Sequence, residues 1–88
     1  DIALEQARLE VGQAYERLKM TRLLVRQAQA RYNVARDQFA QGLLASSDLL
    51  DAETALTQAH LQEIQAQLAY TRAWLALRYT TGSLTLEP

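Results

Sequence analysis

The chain contains no cysteine, which removes any disulfide framework and any thiolate nucleophile or metal ligand. Proline occurs once, as Pro88, and glycine only at Gly12, Gly42 and Gly82. With so few helix breakers in 88 residues, almost every stretch is free to be helical. No apolar run approaches the ~20 residues that a membrane-spanning helix requires. The opening Asp1-Ile2-Ala3-Leu4-Glu5 lacks the basic start of a secretory leader. It reads as the middle of a helix, so the chain is expected to be a soluble segment of something larger. A net charge of −1 makes no electrostatic case for nucleic acid or for an anionic membrane surface. Histidine occurs once, as His60, and no clustered-glycine loop is present to cradle phosphate. No catalytic residue and no cofactor are therefore expected.

What the chain has in plenty is alanine and leucine. Apolar residues make up 49% of it, but alanine buries little area, so the core of this one small domain is thin. Charge is divided unequally. Residues 1–41 hold seven bases against five acids, a balance of +2, while residues 42–88 hold two bases against five acids, a balance of −3. Opposite signs favour the halves lying side by side, though exposed pairs contribute only a few tenths of a kcal/mol each.

Stepping alternately by three and four from Leu4 reaches Ala7, Val11, Ala14, Leu18, Thr21, Val25, Ala28, Tyr32, Ala35, Phe39 and Gly42. The second half repeats the pattern with Leu49, Ala52, Leu56, Ala59, Glu63, Ala66, Tyr70, Ala73, Leu77 and Thr80. This is the heptad spacing of a coiled coil. Large and small residues alternate along it, which lets two near-parallel backbones approach closely. The large seam residues are Leu18, Val25, Tyr32 and Phe39 on one helix and Leu49, Leu56, Tyr70 and Leu77 on the other.

The spacing predicts an all-α fold, a long antiparallel two-helix coiled-coil hairpin. Its first helix spans residues 2–41, its tip 42–47, its second helix 47–80 and a short tail 81–88. Gly42 ends the first helix by taking the left-handed conformation. Ser46 or Ser47 caps the second, with Asp48 and Asp51 in its first turn, where the helix dipole favours negative charge. Gly82 stops it. A link this short forces the helices antiparallel.

Additional apolar positions run beside the seam: Leu50, Leu61, Ile64, Leu68 and Leu75, and more weakly Ile2, Leu9, Leu23, Ala30 and Val34. One partner helix cannot cover two stripes. The hairpin is therefore expected to be oligomeric, assembling with further helices into a bundle or α-barrel.

The tip reads Phe39-Ala40-Gln41-Gly42-Leu43-Leu44-Ala45-Ser46-Ser47-Asp48-Leu49-Leu50-Asp51-Ala52-Glu53. It resembles the hairpin tip of TolC-like outer-membrane efflux proteins, whose pattern is aromatic-x-x-Gly, a short apolar link, then Asp-(Leu/Val)-Leu-Asp-Ala. Glu10 to Tyr15, and Ala66 to Thr80 with Gly82-Ser83-Leu84, are similar to the flanks of that hairpin. The resemblance covers residues 5–86. It implies a periplasmic segment of a Gram-negative outer-membrane protein, a trimer whose subunits each give two such hairpins to an α-helical tunnel serving multidrug efflux or type I secretion. It further implies that Asp48 and Asp51 are aperture acids, that Gly42, Leu43, Leu44, Ala45, Ser46 and Ser47 form the tip docking a periplasmic adaptor, and that an inner-membrane transporter is a further partner. Phe39 stands where a gating tyrosine often sits, and Leu44 where some members have arginine. A hydrogen-bonded lock between tips is therefore not implied.

Plainer roles stand beside these. Asp48 and Asp51 suit the helix dipole whatever else they do. Leu43 and Leu44 suit a local hydrophobic cap as well as a docking surface. Glu63 breaks the apolar seam, a place for a lumen-facing or register-setting group. His60 and Glu63 lie three apart, but no second histidine or carboxylate cluster accompanies them, so no metal is expected. The alternative assignments are the α-hairpin of a periplasmic adaptor, disfavoured by Ala35 where its tip arginine would fall, and a generic coiled-coil interaction module, which leaves the tip motif unexplained.

Overall fold

A computed structural model describes the backbone of residues 1–86 and the side chains of residues 1–82. Two helices account for almost all of it: α1 (Ile2–Ala40) and α2 (Ser46–Leu86), packed antiparallel. The hairpin is a rod measuring 71 × 14 × 13 Å, of which helices of about 40 residues rising ~1.5 Å each supply ~60 Å. Asp1 caps α1, its side chain accepting the Ala3 N–H at 3.2 Å.

The seam runs along the inside of the rod. From Leu4 to Ala35 every seam position of α1 is buried or half-buried, and so is every one of α2 from Leu49 to Thr80. The most enclosed residues are mostly small: Ala7, Ala35, Ala52, Ala59 and Ala66, with Leu18 at 2% exposure the large exception. Thr21 is buried as well, and its hydroxyl donates to the Leu18 carbonyl at 2.9 Å, so the polar group carries its own partner into the seam. Thr80 does the same with Ala76 at 2.9 Å. Phe39 differs from the rest of the seam. It is 43% exposed, in the last turn of α1 where the rod ends.

Two local expectations are corrected. Gly82 does not stop the second helix, which continues through it to Leu86. A mid-helix glycine costs only about 1 kcal/mol, which a helix already forty residues long absorbs. The supposed tail therefore shrinks to Glu87 and Pro88, which lie outside the described residues. Nor do the opposite charges of the two halves pair across the seam. Among the described residues the ion pair formed is Lys19 to Glu16 at 3.3 Å, within α1. The polar tie between helices is Arg22 donating to the Gln67 side-chain oxygen at 3.3 Å. Seam packing, not charge, holds the helices together.

Candidate functional site

The tip is shaped by the end of α1. Gly42 takes φ 77°, a left-handed conformation that only glycine adopts without strain. The Leu43 N–H reaches back to the Gln38 carbonyl at 2.8 Å and the Gly42 N–H to the Phe39 carbonyl at 3.0 Å. This pair of bonds is the Schellman closure, which satisfies carbonyls that a helix end leaves free. The residue after such a glycine usually folds its side chain onto the helix. Leu43 does not, remaining 71% exposed at the extreme end of the rod, while Leu44 is half-buried.

The Ala45 carbonyl accepts the N–H groups of Asp48 at 3.1 Å and Leu49 at 3.2 Å and so starts α2. Ser46 and Ser47 lie inside the first turn, and among the described residues neither hydroxyl makes a capping bond. The expected serine cap is thus replaced by backbone geometry at Ala45. Asp48 occupies the first turn and Asp51 the next, both exposed, where the positive end of the helix dipole favours them.

These two aspartates share a groove with the other helix. The hollow, of about 540 Å³, lies between the helices behind the tip and is lined by Arg31, Val34 and Gln38 from α1 and by Leu44, Asp48 and Asp51 on the returning chain. Arg31 belongs to an arginine series that, from sequence alone, looks like nothing more than a solvated face. Its place beside the acids depends on the antiparallel register, which no local motif encodes. Among the described residues the side chains of Arg31, Asp48 and Asp51 make no hydrogen bond or ion pair.

The same side of the rod carries three further hollows toward the open end. Their floors are mostly alanine, and their rims mix glutamines (Gln27, Gln58, Gln62 and Gln65) with the charged groups Glu10, Arg17 and Arg72. The opposite side is filled instead. There Tyr15 and Tyr70 approach to 5.8 Å between ring centroids, Trp74 meets Tyr70 edge-on at 6.4 Å, and Lys19 sits 5.1 Å from the Tyr15 centroid. These rings serve packing.

The two edges of the rod are apolar. Leu9 and Leu23 each lie two residues from the seam positions on either side of them, so they stand ~200° around α1 from the seam, and Ile2 continues their line. Leu61, Leu68 and Leu75 do the same on α2. All six are exposed. His60 is exposed and Glu63 half-buried, and among the described residues no group of three or more metal-ligating side chains converges.

A family model described as "Outer membrane efflux protein" matches residues 3–83, nearly the whole chain. The chain belongs to the outer membrane efflux protein family. No curated protein and no solved structure matches it significantly. As an outer membrane efflux protein, the chain serves an oligomeric transport channel of a kind that works with adaptors and transporters. The helical hairpin agrees with that membership. Among the described residues, no helix is long and apolar enough to cross a membrane.

Proposed function

We propose that this hairpin is a wall segment of the periplasmic tunnel of a trimeric outer-membrane efflux channel. Its tip is the aperture end. Leu43 and Leu44, within the 42–47 link, are the surface that meets a periplasmic adaptor, which in turn couples the channel to an inner-membrane transporter. Asp48 and Asp51 ring the mouth.

The observation that carries this reading is the pair of exposed leucine edges on opposite sides of one rod, found in a chain of this family. A rod with unpartnered apolar edges on both sides is built to stand between two neighbours. Repetition of such contacts around an axis closes a ring. In that ring the alanine-floored groove faces the bore, which turns Asp48 and Asp51 inward at its narrow end. Three copies of both acids concentrate negative charge there, drawing cations and repelling anions. The exposed Leu43 supports docking over a local cap, because a cap would have buried it. Glu63, half-buried in the seam with no side-chain hydrogen bond or ion pair among the described residues, suits a register-setting role.

The test is the double change Asp48→Asn and Asp51→Asn in the complete channel, recorded in planar bilayers under a salt gradient. Cation preference should fall. An unchanged reversal potential would remove the aperture role from these residues.

A further inference from the structure

We propose that Arg31 is a further specificity-determining residue, forming a basic ring just inside the acidic mouth. This rests on the reading of Asp48 and Asp51 as aperture acids. Arg31 lines the same groove as the two acids and on the same side of the rod, but it comes from the other helix. The register is set by Arg22 against Gln67 and Tyr15 against Tyr70. It places Arg31 roughly one turn deeper than Asp51 and about two turns deeper than Asp48. Among the described residues the guanidinium is neither ion-paired nor hydrogen-bonded, so its charge acts outward into the groove.

Around the proposed threefold axis this becomes two layers of opposite sign. A cation drawn to the aspartates meets a repulsive ring behind them, and an anion meets the reverse sequence. Two acids against one base per subunit leave the mouth cation-preferring, but less so than the acids alone would make it. A net-neutral polar or zwitterionic organic solute spans both layers without a like-charge contact. Beyond Arg31 the bore-side rim carries the amides of Gln27, Gln58, Gln62 and Gln65, then Arg17, and toward the open end Arg72 and Glu10.

The experiment compares four complete channels in planar bilayers under a potassium chloride gradient: the natural protein, Arg31→Gln, Arg31→Lys, and Asp48→Asn with Asp51→Asn. The natural channel should prefer potassium over chloride moderately. Arg31→Gln should raise the potassium-to-chloride permeability ratio at least about tenfold, because removing one unit charge at ~6 Å in water shifts the two ions about threefold each in opposite directions. Arg31→Lys should stay near the natural value, because it keeps the charge. Arg31 is exposed and unpaired, so trimer assembly on a gel should be unaffected by either change. If the aspartate change moves the ratio and Arg31→Gln does not, Arg31 does not face the bore and the inference fails alone. If Arg31→Lys shifts as far as Arg31→Gln, the effect is not charge and the inference again fails. If neither the aspartate nor the arginine changes move the ratio, the aperture reading falls and takes this inference with it.

Discussion

The most deeply buried positions of this rod are mostly alanine, and its outer edges are leucine. Ala7, Ala35, Ala52, Ala59 and Ala66 are buried in the seam, whereas Leu61, Leu68 and Leu75 remain 51–58% exposed on one outer edge. An ordinary two-stranded coiled coil does the opposite, placing its large aliphatics inside and polar groups outside. The difference teaches that the hairpin is one stave of a larger wall. Small seam residues bring its two helices close, and the larger hydrophobic contribution is held for contacts outside the pair.

That contrast can be broken from either side. The largest effect is expected at the edges. Changing Leu61, Leu68 and Leu75 together to glutamine removes about 1 kcal/mol each, because half of each side chain is left to bury. Association of the chain, followed by sedimentation, should weaken about a hundredfold, with helical content in the assembled state little altered. Next in size is the seam. Ala66→Leu forces extra volume where the helices touch and should cost about 1–3 kcal/mol in thermal unfolding. If that change proved neutral, the seam would not be closely packed. The smallest effect is at the tip. Gly42→Ala places a Cβ on a left-handed residue and should cost about 1 kcal/mol. No neighbouring atom stands within 4 Å of that Cβ, so the loss would come from backbone strain alone.

Much of this architecture was legible beforehand because it is periodic. The three-and-four spacing from Leu4 to Ala35 and from Leu49 to Thr80 names the residues that the structure buries or half-buries, and Gly42 marks the turn. The errors fell where the outcome depends on competition rather than pattern. Gly82 breaks helices on average, but here a long helix runs through it. Ser46 and Ser47 are good caps by type, but the Ala45 carbonyl starts the helix one step earlier. Phe39 keeps the seam spacing and loses its cover where the chain turns away. The candidate site was half legible. Asp48 and Asp51 stand in a motif, while Arg31, 17 and 20 residues before them in the chain, reaches them only through the register of the two helices.

The most direct test of the tip as a threefold aperture is Asp48→Cys in the complete channel, treated in membranes with a short thiol crosslinker and resolved on a denaturing gel. The chain has no cysteine of its own to confuse the result. A band of three joined subunits is the predicted outcome. Adducts only to a different protein, with none between copies of this chain, would contradict the account and place the hairpin on the other side of the joint.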